Sequence, residues 1–187
     1  MSQKNNIQKD DTRHHRRVVT GHAAGRSVIE SDERLRPYGF KSIPGYEHTL
    51  VWLNDGIPDL RREKERTGYP KSVVPGPGGT SMHIVTFPPD SVAAAPSFDG
   101  RAAHQESLER LPGLAETFEH DAGGMHATAT VDYSVVFEGE IWLELDDGKT
   151  VHLKRGDVVV QNGTRHAWRN KGSDSAVMLF FMNGATT

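Results

Sequence analysis

The chain has 187 residues, 35% of them hydrophobic, with 22 basic against 25 acidic side chains and a net charge of −3. That length suits one domain with a core of its own. The near balance of charge gives no basic field for nucleic acid and no acidic tail for a basic partner. There are no cysteines, which excludes disulfides and thiolate chemistry. No apolar run approaches the roughly 18 residues of a membrane helix, and the N-terminus lacks a hydrophobic signal core. A soluble, cytoplasmic protein with no membrane or nucleic-acid partner is the expectation.

Residues 1–17 are polar and charged, end in His14-His15-Arg16-Arg17, and read as a flexible tail. Val18 to Thr20 and Ser27 to Glu30 are short strand candidates, separated by the turn-forming stretch Gly21 to Gly25. That stretch is one residue short of a phosphate-binding loop and carries Arg26 in place of lysine, so the loop is rejected. Tyr46 to Leu53 alternates as a strand and closes at Asn54-Asp55-Gly56. Arg61 to Arg66 is a mixed-charge turn or short helix. Residues 18–80 are expected to pack on a barrel, or to exchange with a partner's. The barrel is placed at residues 81–187, just after Val74-Pro75-Gly76-Pro77-Gly78-Gly79.

Ser81 to Phe87 reads as a strand ended by Pro88-Pro89. In residues 97–121, Leu108, Leu111, Leu114 and Phe118 recur at helical spacing, interrupted by Pro112. One or two short helices packing on the barrel, or a lid over its mouth, follow from that pattern. From Met125 on, short strands and turns alternate quickly. Turns are expected at Glu138-Gly139, Asp146 to Lys149, Arg155 to Asp157 and Asn162-Gly163, with Val177 to Met182 as a last strand. The class is all-β, a barrel or jelly roll with added N-terminal strands.

The informative stretch is Gly124 to Tyr133. His126, Thr128, Thr130 and Asp132 fall at alternate positions, so in an extended strand they share one face. Met125, Ala127, Ala129, Val131 and Tyr133 take the other, where Tyr133 is expected to pack. A polar inner face backed by an apolar outer one suits the lining of a ligand-holding barrel.

These residues carry a resemblance to the cupin superfamily. Its first motif runs glycine, five residues, His-x-His, three or four residues, Glu, six residues, Gly. Here His126-x-Thr128, three residues, Asp132, six residues and Gly139 keep that spacing, with Thr128 in place of the second histidine and Asp132 in place of the glutamate. The second motif is matched by Gly156, Gln161-x-Gly163, His166 and Asn170, with one residue missing after Gly156 and Gln161 in place of proline. The similarity covers residues 81–184 and is closest to compact single-domain cupins.

The resemblance implies a jelly-roll barrel, a homodimer, and a small-molecule enzyme of dioxygenase, decarboxylase, lyase or isomerase type acting on an organic acid, enol or phenol. By position, His126, His166 and Asp132 match ligands of one divalent transition metal such as iron, manganese, zinc or nickel. The same three residues are the candidate catalytic groups. The alternatives are metal-free dehydratase or isomerase chemistry by histidine and aspartate, or ligand binding without turnover. Thr128, Thr130, Gln161 and Trp168 are the expected substrate contacts. His83 is a further candidate for the cavity, while His22, His48, His104, His120 and His152 are read as structural or exposed.

Overall fold

A computed structural model describes residues 14–60, 69–119 and 123–186. His120 and the Arg61 to Arg66 run lie outside them. Contacts divide the chain into two units, Met1–Pro37 and Tyr38–Thr187.

In the first unit, β1 (His15–Ala23) pairs antiparallel with β2 (Arg26–Leu35). Ala24 and Gly25 join them, both at positive φ (49° and 76°), the two-residue turn whose twist matches that of paired strands. Arg16 reaches Asp32 through two bonds of 2.6 and 2.7 Å, and Arg17 meets Glu33 directly across at 2.8 Å. The expectation of a tail through Arg17 is therefore corrected: cross-strand charge pairs carry the strand back to His15.

The second unit is built on two antiparallel sheets. The larger has the order β3 (Tyr38–Gly39), β4 (Glu47–Asn54), β5 (Thr80–Phe87), β11 (Ala176–Gly184), β6 (Thr130–Glu138), β9 (Val158–Asn162). The smaller has the order β10 (Ala167–Arg169), β7 (Glu140–Glu144), β8 (Thr150–Lys154). Val136 and Met178 of the large sheet pack on Ile141, Leu143 and Leu153 of the small one, with Phe87, Trp168 and Phe180 at the margin. This is an all-β fold. The expected barrel start at Ser81 falls inside the large sheet, because β4 is bonded along β5.

The helical segment resolves into α1 (Gly100–Arg110) and a short 3-10 turn at Ala115–Thr117. Asp99 caps α1 by accepting from the amides of Arg101 and Ala102 at 3.0 Å each, and the helix stops before Pro112. Leu108, Leu111, Leu114 and Phe118 join Phe40, Val73 and Tyr46 in a second core. Glu106 fastens α1 to the chain entering the sheet: it accepts from the Tyr38 hydroxyl (2.8 Å), the amides of Lys41 (3.0 Å) and Ser42 (2.8 Å), and the Ser42 hydroxyl. Burial alone would raise its pKa; those donors bring it down to about 2.

The outer face of the large sheet differs from expectation. Trp52, Met82, Phe181 and Tyr133 are successive cross-strand neighbours, lining a depression of about 400 Å³. Tyr133 is 48% exposed rather than packed. Among the described residues, no helix is long and apolar enough to cross a membrane.

Candidate active site

Strand alternation delivers the polar lining. Thr130, Asp132, Ser134 and Val136 of β6 are all buried, while Tyr133 and Phe137 on the opposite face are exposed. Along the inner face one cross-strand row reads Leu53, Ser81, Met182, Asp132, Gln161. The next reads Leu50, His83, Phe180, Ser134, Val159. The single extended strand expected from Met125 to Tyr133 is interrupted, since β6 begins at Thr130 after a bend at Ala129.

His126 and His166 are brought together. They form an isolated antiparallel bridge in which each amide donates to the other's carbonyl at 2.9 Å. Their rings stand 4.4 Å apart between centroids, tilted by 46°. The Nδ1 of His126 lies 2.9 Å from the Gly124 carbonyl, and the Nδ1 of His166 lies 2.9 Å from that of Thr164. A carbonyl only accepts, so Nδ1 carries the hydrogen on both rings and Nε2 keeps its lone pair. Burial lowers the pKa of His126; burial and the neighbouring His126 hold His166 down at about 4. Both rings are therefore neutral acceptors near pH 7.

The elements around the pair explain its position. Gln161 donates through Nε2 to the carbonyl (3.2 Å) and hydroxyl (2.6 Å) of Thr164, shaping the turn before His166. Gly163, at φ 60°, closes that turn against Thr128, where a Cβ would lie 3.0 Å from the Thr128 carbonyl oxygen. Asn170 is 2% exposed and fully committed: its amide donates to Phe87 (3.0 Å) and Asp174 (2.8 Å) and its oxygen accepts from Gly172 (3.1 Å). Phe118, at the end of the helical segment, sets its ring edge-to-face with His126 at 5.0 Å.

Asp132 is 5% exposed and its Oδ1 has no hydrogen-bond partner. Desolvation raises its pKa to about 6, opposed by a bond to Thr130. An orphaned buried carboxylate oxygen is costly.

The remaining expected contacts divide. The Thr128 and Thr130 hydroxyls bond each other at 2.7 Å. Trp168 packs edge-on to His166 (5.8 Å) and to Phe180 (5.6 Å), forming apolar floor beside the histidines. The amide donor of Gln161 is spent on the turn. His152 stacks on Trp142 at 4.1 Å and bonds Glu140, away from this wall.

Among the described residues, no group of three or more His, Cys, Asp or Glu side chains is close enough to hold a metal ion. Two imidazoles with bare Nε2 atoms would fit two corners of a transition-metal site. The carboxylate expected as third donor, on a side chain one methylene shorter than glutamate, is flanked in its cross-strand row by Met182 and Gln161. Among the described residues His126, His166 and Asp132 do not converge as one donor set.

One polar pair escaped the sequence reading. His48 Nε2 lies 3.0 Å from His83 Nδ1, both rings buried, and His83 Nε2 lies 2.7 Å from the Ser81 hydroxyl. The β4–β5 register produces it: His48 lies opposite Val85 and Leu50 opposite His83, so both imidazoles share the inner face. A β-bulge at Val51 follows and turns Trp52 outward.

Residues 117–182 match the family model of the cupin domain. A phomopsin biosynthesis cluster protein C' of Diaporthe leptostromiformis is 60% identical over 58 residues, 31% of this chain and 31% of that protein. The cupin-domain-containing oxidoreductase fogC of Aspergillus ruber is 36% identical over 79 residues, 41% of this chain and 37% of that protein. The aligned part thus spans well under half the length of either relative. A crystal structure of a putative ethanolamine utilization protein Q from Salmonella typhimurium superposes with a TM-score of 0.44 at 13% identity, over 94% of this chain and 98% of that one. Both histidines of the bridge and the buried Asp132 lie in the matched segment, and the chain carries a cupin domain at residues 117–182.

Proposed function

We propose that this protein is an enzyme transforming a small organic molecule by proton transfer, as an isomerase or dehydratase does. Asp132 is the proton-transfer group, with His126 and His166 as neutral acceptors that hold a substrate hydroxyl or enol. The observation that supports this most is the combination of two lone-pair Nε2 atoms, each fixed by a carbonyl bond at Nδ1, with a buried carboxylate whose Oδ1 is unpartnered. The division of roles follows from acidity. A base or acid works best when its pKa lies near the working pH. Asp132 at about 6 satisfies that, whereas His166 at about 4 is too weak a base and serves by accepting a hydrogen bond.

Relatives named as cupin-domain-containing oxidoreductases support an enzyme and keep a redox reading as the second one. The test is turnover of small hydroxy acids, enols and phenols, followed by mass spectrometry in D2O. It is run with and without chelator, on the wild type, His126→Ala and Asp132→Asn. Deuterium incorporation or water loss that survives chelation, and falls about a hundredfold or more in Asp132→Asn, supports proton transfer. Activity that needs stoichiometric iron, manganese, zinc or nickel, with that metal lost in His126→Ala, favours the second reading. Ligand recovered chemically unchanged favours a binding protein.

A further inference from the structure

The acid–base centre leaves the buried chain Ser81–His83–His48 unused, although it lies on the same inner wall. Ser81 and Asp132 occupy one cross-strand row with only Met182 between them. Two strand spacings separate their backbones by about 10 Å. Phe180 stands beside His83 in the next row and continues through Trp168 to His166, with ring centroids 5.6 and 5.8 Å apart. An apolar floor therefore joins two polar ends.

We propose that Ser81, His83 and His48 form a ligand-binding station in which the Ser81 hydroxyl contacts an uncharged oxygen group, a carbonyl, amide or hydroxyl, of the molecule processed at Asp132, His126 and His166. The ligand class rests on the acid–base reading of that centre; the station rests on its own geometry. Two neutral imidazoles in series hold one proton per link. With the hydrogen on His48 Nε2, His83 accepts at Nδ1 and donates from Nε2 to Ser81, leaving the Ser81 hydrogen free for a carbonyl. With the links reversed, Ser81 donates to His83 and offers its lone pairs to a hydroxyl. Neither arrangement carries net charge.

Burial keeps the station neutral: it depresses His83 to about 3, with His48 adding to the effect, and His48 to about 4. Among the described residues the side-chain hydrogen bonds of the two rings run between His48, His83 and Ser81, all uncharged, so an anionic ligand group would be buried there without a paired charge. The same acidity makes His83 too weak a base to turn Ser81 into a nucleophile at neutral pH. Ser81 therefore selects and orients the ligand.

The test uses the full chain labelled with nitrogen-15 in histidine, titrated with benzamide and, separately, with its charged near-isostere benzoate. The nitrogens of His48 and His83 are read by long-range proton–nitrogen spectra and assigned with His48→Gln. Benzamide shifts both rings saturably, and benzoate at the same concentration leaves them in place. Ser81→Ala weakens benzamide binding roughly five- to tenfold, the effect of one hydrogen bond, while Ser81→Thr retains it. Benzoate acting as strongly as benzamide, unchanged affinity in Ser81→Ala, or no response to either compound overturns the proposal. The readout is binding, so failure of the proton-transfer reading appears separately, in the turnover assay.

Discussion

Replacing Asp132 by asparagine removes a carboxylate that the fold holds at a cost. Its pKa rises from 3.8 to about 6 through burial, so the native state binds the proton more tightly than the unfolded chain. Below pH 4 both states are protonated and no penalty exists; between pH 4 and 6 stability falls as pH rises; above 6 the penalty is complete, about 3 kcal/mol. Asparagine preserves the shape and never ionises. The variant should therefore equal the wild type near pH 4 and exceed it by up to about 3 kcal/mol at pH 8. With a urea slope of roughly 2 kcal/mol per molar, the midpoint at pH 8 moves up by about 1.5 M. Urea unfolding at pH 4, 6 and 8 measures this. A gain that is the same at all three values, or a variant less stable at pH 8, would refute the reasoning. A more stable but inactive Asp132→Asn is what a strained catalytic group produces.

Three further outcomes follow from the same structure. His48, His83 and His166, depressed to about 4, 3 and 4, stabilise the fold fully above pH 6.5 and lose that contribution as pH falls. Each adds about 1.4 kcal/mol per pH unit, with Asp132 opposing, so thermal midpoints should drop steeply between pH 6 and 4.5 and less steeply in His83→Gln. Glu106→Gln weakens four bonds that hold α1 to residues 38–42; it should cost about 2 kcal/mol in chemical denaturation, and a loss under 0.5 would count against the clamp. Gly163→Ala forces a side chain into a left-handed turn and against the Thr128 carbonyl. It should destabilise by about 1–2 kcal/mol and perturb the His166 ring resonances.

Much of the second half of the chain was legible because its signals are local. Turn glycines, two-residue alternation and the His126 and His166 spacings each act over a few residues, and the buried run Thr130, Asp132, Ser134 followed the alternation. What escaped depends on pairing between distant segments. His48 and His83 are 35 residues apart and meet only because β4 pairs with β5 in the register that sets His48 opposite Val85 and Leu50 opposite His83. Glu106 draws its donors from residues more than sixty positions away. Opposite charges across strands carry the β1–β2 hairpin back to His15, into the stretch that in sequence reads as the end of a polar tail. Asp132 carried the right residue type at the right spacing, yet its neighbours in the row, Met182 and Gln161, were set by the pairing of β6 with β11 and β9.

The claim on which the account turns is that His126 and His166 present bare Nε2 lone pairs while Nδ1 is held by a carbonyl. Nitrogen-15 shifts and proton couplings of the two rings at pH 7 report this directly. Two neutral rings in the Nδ1–H form are expected at pH 7, with His166 still unprotonated at pH 5.5. Hydrogen on either Nε2, or an imidazolium at neutral pH, would contradict it.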